Sequence, residues 1–247
     1  MGKVLGVIPA RFGSTRFPGK VLAKIGTYPM IRYVYEAAKQ AKGLDHLVIA
    51  TDDERVREAV EAFGGECLMT SEEHKSGTDR LAEVAEYYKD YDILVNIQGD
   101  EPGIEPELID GVARMKIENP DWEMTTAARP FKPGEDPLQP NRVKVVMTRS
   151  GRALYFSRSL IPFPRNKVDR PVYLHLGIYA YQRDFLMRFH TLPASGLEDA
   201  ESLEQLRALE NDHSIGVFIT EASLPGVDTA EDLAAITGIF KSKGLLR

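Results

Sequence analysis

The sequence predicts an α/β protein: a parallel, doubly wound sheet through the first half and a β-rich extension from about residue 120. Three observations carry this. Short apolar runs alternate with amphipathic helical patterns up to residue 98, the βαβ order that builds parallel sheets. The runs at 46–51 and 92–98 are almost continuously apolar, as strands covered by helices on both faces require. Beyond residue 120, strand-like segments follow one another through Pro- and Gly-rich joints such as "KPGEDPLQP".

The elements follow in order. "KVLGVIPA" reads as a first strand, and "PMIRYVYEAAKQAKG" as a helix stopped at Gly43. "DHLVIATD" is a second strand; the helix after it opens on Asp52 and Asp53 and stops at Gly64-Gly65, acids favouring a helix start and glycine an end. "ECLMT" is a short third strand, "GTDRLAEVAEYYKD" a helix and "DILVNIQGDEP" a fourth strand. Later, "MTTAARPF", "RVKVVMT", "ALYFSRSLIPF" and "LHLGIYAYQ" read as strands, with helices near 183–190 and 197–210. "SIGVFIT" and "TAEDLAAITGIF" close the chain as a strand and a helix. No internal repeat or long linker interrupts the 247 residues, so a single domain over 1–247 is expected, with an insertion at roughly 120–195.

Composition narrows the function. A net charge of −6 argues against a nucleic-acid partner, which favours a basic excess, so a phosphate ligand needs locally clustered cations. The lone cysteine, Cys67, excludes an internal disulfide and fits a reducing compartment. No apolar run approaches the roughly 18 residues of a membrane span. A cytoplasmic protein with no membrane partner is expected.

In open parallel sheets ligands collect at the carboxyl ends of the strands, and the unusual residues fall there. "VIPARFGSTRFPGK" places Arg11, Arg16 and Lys20 with Gly13 and Gly19 after the first strand. This is either a turn with solvated cations or, by its clustering, a phosphate cradle in which glycines admit backbone N–H groups to an anion. Five residues separate Gly13 from Gly19 and Val21 follows Lys20, which excludes the P-loop; G-x-G-x-x-G is absent. In "NIQGDEP", Asp100 at a strand end suits a hard cation such as Mg²⁺, or is a turn acid. Asp228 in "GVDTAEDL" either joins it or caps the next helix. Ser76 and Gly77 in "HKSGTDR" shape a pocket or belong to an N-cap sequence, with Thr78 or Asp79 as the cap.

Arg158, in the apolar run "ALYFSR", is costly to bury unpaired and so meets either a substrate carboxylate or an acid across the sheet. His175, Tyr179 and Tyr181 lie on one strand, where a lone histidine is most often structural. Glu198, Glu201 and Glu204 recur every third residue on one predicted helix, with Glu204 spaced to pair with Arg207.

Taken in order, "VIPARFGSTRFPGK", "ATDD", "HKSGTDRLAEV", "VNIQGDEP", "VKVV", "ALYFSR", "LHLGIYAY", "LEQLRALEN" and "GVDTAEDL" resemble the blocks of the CMP-Kdo synthetases, the 3-deoxy-manno-octulosonate (Kdo) cytidylyltransferases. The first is shared among sugar nucleotidyltransferases, whereas "QGDEP", "ALYFSR" and "LEQLR" in this order are far more specific. One departure is Asp212 in "LENDHSIGV", where glycine is usual; a turn alone is expected to feel it.

The resemblance implies a Rossmann-like nucleotidyltransferase fold, with the insertion forming the sugar site and dimer interface of a homodimer. It implies that CTP and Kdo give CMP-Kdo and diphosphate, with Mg²⁺, for lipopolysaccharide synthesis. It assigns Arg11, Gly13, Ser14, Arg16, Lys20, Ser76 and Gly77 to the nucleotide, and Asp100 and Asp228 to the metal. Lys20, Arg11 and these two acids form the catalytic group. Gln98, Arg158, His175, Tyr179, Glu201 and Glu204 go to the sugar. Two alternatives stay open: another acidic sugar (8-amino-Kdo or sialic acid), and a nucleotide-binding protein without catalysis.

Overall fold

The computed structural model describes residues 2–13, 17–74, 76–166, 170–221 and 226–246. The chain runs β1 (Val4–Pro9), a 3₁₀ turn (Lys20–Leu22), a two-residue hairpin of β2 (Lys24–Ile25) and β3 (Tyr28–Pro29), α1 (Met30–Ala38), β4 (His46–Thr51) and α2 (Glu54–Ala62). Then come β5 (Cys67–Met69), α3 (Gly77–Tyr87), β6 (Ile93–Asn96), α4 (Pro106–Glu118), β7 (Met124–Pro130), β8 (Lys144–Met147) and β9 (Ala153–Ser157). The chain ends β10 (Tyr173–Gln182), α5 (Arg183–Phe189), α6 (Gly196–Glu201), α7 (Gln205–Glu210), β11 (Ile215–Ile219) and α8 (Ala230–Ser242).

The main sheet has the order β11-β7-β10-β6-β1-β4-β5, with β8 attached to β10 and β9 to β8. Strands β1, β4, β5 and β6 are parallel, whereas β10 enters antiparallel between β6 and β7. Two antiparallel steps restore direction, so β6 and β7 end at the same edge of the sheet. The expected insertion thus contributes β7 and β10 to the central sheet, and β8 and β9 extend it.

Strand alternation divides the core. Val4, Ile8, Ile49, Ile93 and Val95 pack with α1, α2 and α4 on one face. Leu5, Val7, Val48, Ala50 and Leu94 pack with α3, α5 and α7 on the other. The middles of β1, β4 and β6 are therefore apolar on both faces, as strands covered by helices on both sides require.

Three local expectations change. No element is predicted between residue 102 and residue 120, yet α4 lies there. Its start carries no side-chain cap, but Pro106 at the first helical position is a legible start signal. The single helix expected at 197–210 is two, broken at Ser202, whose φ of 49° leaves the right-handed region. The caps are Ser76 and Thr229, each in a reciprocal capping box with Asp79 and Asp232; neither Thr78 nor Asp228 is the cap.

Asp212 adopts a φ of 61°, the left-handed conformation that glycine enters freely and an L-residue enters at a cost of about 1–2 kcal/mol. The departure from glycine is thus a matter of backbone strain in the turn before β11. Asp212→Gly is expected to stabilise the fold by about 0.5–1 kcal/mol, the greater freedom of glycine in the unfolded chain offsetting part of the gain. Thermal melting checks this; an unchanged or lower Tm contradicts it.

Candidate active site

The loop after β1 closes on itself. Gly19 N–H donates to the Phe12 carbonyl at 2.9 Å, and the φ of 68° at Gly19 turns the chain into the 3₁₀ turn that begins with Lys20. A glycine is required there both for that φ and because an added Cβ meets the Phe12 ring at 3.0 Å. Arg11 stands exposed at the end of β1 beside Gly13. Ser14 and Arg16 lie outside the described residues.

Lys20 is where three distant segments meet. Its ammonium forms an ion pair with Asp100 from the loop after β6 and donates to Asp228 Oδ1 at 3.1 Å from the segment before α8. It also donates to the Val227 carbonyl at 3.3 Å. Burial opposes the charged form, but the two carboxylates outweigh it and raise the lysine's pKa above its ordinary value. Backbone geometry fixes the junction. Val227 is buried, and its N–H donates to the Asp100 carbonyl at 2.8 Å. Gly99 has no room for a side chain, an added Cβ falling 2.7 Å from the Pro9 carbonyl.

Two carboxylates bound to one nitrogen lie within about 6 Å of each other, twice a hydrogen-bond length. Hard oxygen donors converging on a cation fit Mg²⁺, which proteins commonly hold through one or two carboxylates plus substrate phosphates. Two carboxylates are the number and type of donor that arrangement uses.

Asp100 and Asp228 border a cavity of about 640 Å³ that extends past His175 to the end of β7. Gln98 Nε2 donates to the Gly177 carbonyl at 3.0 Å, on the strand lining this cavity. His175 Nε2 lies 3.0 Å from Thr126 Oγ1, and its ring packs edge-on to Phe156 and tilted against Tyr179. Burial drives the imidazole down to about 3 and raises the Tyr179 phenol well above its usual value. Glu101, beside Asp100, is pushed up to about 8 by burial and then by its neighbour's charge.

The remaining expected residues sit elsewhere. Ser76 and Gly77 open α3, with Gly77 beside Asn96 and Pro9 at the strand ends. Glu204 belongs to that locale, accepting from Thr78 Oγ1 at 2.6 Å. Glu201 accepts from Ser157 Oγ at 2.6 Å and from Arg158 N–H at 2.8 Å. Glu198, not Glu204, pairs with Arg207, at 2.6 Å. Arg158 spends three of its five N–H donors on backbone carbonyls, those of Glu201 (2.6 Å), Pro140 (3.0 Å) and Ser202 (3.1 Å). Neither expected partner of its side chain, a substrate carboxylate or an acid across the sheet, accounts for these bonds.

Sequence reasoning missed Glu101 and the cluster of Arg129, Glu135 and Arg142, all of which line the cavity. The acid was legible beside Asp100 in "QGDEP"; the cluster was not, since its members are scattered through a strand end and a loop.

The sequence matches the family described as Cytidylyltransferase over residues 5–215. It is 56% identical over 244 residues to the 3-deoxy-manno-octulosonate cytidylyltransferase of Leptospira biflexa, covering 99% of each chain. With the Solibacter usitatus enzyme of the same name it shares 51% over 241 residues, 97% of this chain and 95% of that one. A solved structure of CMP:2-keto-3-deoxy-manno-octonic acid synthetase complexed with CTP superposes with a TM-score of 0.93 at 44% identity, covering 98% and 99% of the two chains. The chain belongs to the 3-deoxy-manno-octulosonate cytidylyltransferase family.

Two predictions follow from the geometry. Arg158→Lys is expected to lower Tm by several degrees, because one ammonium cannot serve three carbonyls spread around a planar fork, while KM for CTP stays unchanged. A rise in KM for Kdo with Tm intact would instead assign Arg158 to the substrate carboxylate. For His175, the native ring is neutral while the unfolded chain takes up a proton below about pH 6.5. Stability is therefore lost as pH falls from about 6.5 toward 3, by about 1–2 kcal/mol by pH 5. His175→Gln should flatten denaturation midpoints over this window relative to wild type; an equally steep profile contradicts it.

Proposed function

We propose that the protein activates the acidic eight-carbon sugar Kdo with CTP, giving CMP-Kdo and diphosphate for lipopolysaccharide synthesis. The observation that carries this reading is the junction of Lys20, Asp100 and Asp228 at the strand ends, facing a cavity large enough for a sugar. It is supported by family membership and by the CTP complex of the relative described above.

In this reading the anomeric hydroxyl oxygen of Kdo bonds to the α-phosphorus as the bond to the β-phosphate oxygen breaks. The hydroxyl loses its proton and diphosphate leaves. No covalent enzyme intermediate is needed, so the chain's task is alignment and charge neutralisation. Arg11, Lys20 and Arg16, with the backbone near Gly13 and Ser14, cradle the triphosphate and stabilise the leaving group. Ser76 and Gly77 flank the nucleoside. Asp100 and Asp228 would hold Mg²⁺, which when bound neutralises the triphosphate and polarises the α-phosphate. Gln98, His175 and Tyr179 line the sugar side; Arg158 and Glu201 brace its wall from behind, and Glu204 holds Thr78 next to Ser76 and Gly77.

The reading includes a cytoplasmic homodimer. Leu154, on the outlying strand β9, and Phe163, in the loop beyond it, are exposed apolar side chains, as an interface made by the later strands would require. Among the described residues no helix is long and apolar enough to cross a membrane.

Diphosphate release tests the function directly. With Kdo present, CTP should turn over far faster than ATP or GTP, and sialic acid should not replace Kdo. Asp100→Asn and Asp228→Asn keep the side-chain shape and remove the charge, so each should cut kcat/KM at least a hundredfold while folded yield is preserved. Full activity of either variant at limiting magnesium would make that residue a turn acid.

A further inference from the structure

The far end of the cavity is lined by a charged cluster that the catalytic junction does not use. Arg129 closes β7, and its side chain is more than nine-tenths buried. It grips Glu135 through two parallel hydrogen bonds, Nη1 to Oε2 and Nη2 to Oε1, both 2.7 Å. The Lys132 N–H adds a third bond to Glu135 at 2.8 Å. Arg129's hydrogen bonds are the largest cause holding the Glu135 carboxyl at about 2, so Glu135 is fully ionised and saturated by its partners. Arg142 is the outer member, its Nη1 3.8 Å from Glu135 Oε1, beyond a hydrogen bond. Among the described residues, the buried Arg129 Nε and Arg142 Nη1 have no hydrogen-bond partner. Buried guanidinium donors are costly to leave unmet, and these belong to side chains lining the same cavity as Asp100 and Asp228.

Charge and distance say what this wall meets. One acid faces three cations, Arg129, Lys132 and Arg142, so the wall is net positive. It stands at the end of β7, two strand positions from β6, with β10 between. At about 4.8 Å per strand that separation is ~10 Å. This inference rests on the reading that the cavity takes a 3-deoxy-octulosonate. In such a sugar the carboxylate and the attacking hydroxyl share one carbon, so both belong at the Asp100 end. What reaches the opposite end is the exocyclic C7–C8 glycol.

We propose that the Arg129–Glu135–Arg142 wall reads the exocyclic end of the sugar, with Arg142 donating to its terminal hydroxyls, and selects against a sugar that carries a cation there. Glu135 and Arg129 act by fixing the wall, and Arg142 supplies the contact. The Arg158 bond to the Pro140 carbonyl holds the loop from which Arg142 projects. A hydroxyl can accept from a guanidinium, whereas an ammonium at C8 presents only donors and a like charge, the kind of repulsion that sets specificity.

The test compares Kdo with its 8-amino-8-deoxy analogue as substrates for CTP-dependent diphosphate release. Wild type should prefer Kdo. Arg142→Gln should raise KM for Kdo several-fold with KM for CTP unchanged. Arg142→Glu should shift the kcat/KM ratio at least tenfold toward the amino sugar. Arg142 is the more exposed of the two arginines, so both variants should fold, and their melting curves check this. Should the charge reversal fail to fold, the glutamine variant decides alone: an unchanged KM for Kdo overturns the proposal. With both folded, an unaltered substrate ratio overturns the wall while leaving the cavity assignment standing. A wild-type protein that releases no diphosphate from CTP and Kdo overturns both.

Discussion

The site depends on one ammonium group held between two carboxylates. Lys20 comes from the first loop, Asp100 from the middle of the chain and Asp228 from near its end. Without the lysine, two like charges would face each other at a sheet edge. With it, the C-terminal segment is drawn onto the strand ends, and the Val227 N–H bond to the Asp100 carbonyl locks it there. The apolar cluster of Ile25, Met30, Tyr33, Val227, Ile236 and Phe240 packs α8 against α1 and anchors that segment. Catalytic geometry and the docking of α8 are thus one piece of construction.

The sheet explains why the cavity lies where it does. Inserting β10 antiparallel between β6 and β7 puts the carboxyl ends of β6 and β7 at one edge with the beginning of β10 between them. The reactive acids follow β6, the charged wall follows β7, and His175 and Gly177 on β10 line the space between. A purely parallel arrangement would place the end of another strand there, with its following loop filling the gap.

Polar residues behind the cavity are occupied with structure. Arg158, Glu201 and Lys144 share a network: Lys144, buried, donates to the Gln139 and Arg158 carbonyls, and Glu201 ties Ser157 to Arg158. These bonds hold the 131–143 loop against α6 and β9. Residues that look like substrate ligands by type can thus be the frame on which ligands are mounted, because backbone carbonyls satisfy guanidinium donors as well as a ligand does.

Much of this was legible in the sequence because it is encoded locally. Apolar runs of strand length, helix caps and stops, and the cluster of cations in "VIPARFGSTRFPGK" follow from side-chain period and backbone freedom, which neighbouring residues determine. The motif order placed the chain in its family, and Asp212 announced its strained turn by standing where glycine is usual. Only the tertiary structure decided that Asp228 meets Lys20 instead of capping α8, that Glu198 takes Arg207, and that Arg129, Glu135 and Arg142 form one wall. These are contacts between segments far apart in the chain or across a loop. Their energies depend on burial and on which partner lies within hydrogen-bond reach, and no local pattern of residues specifies either.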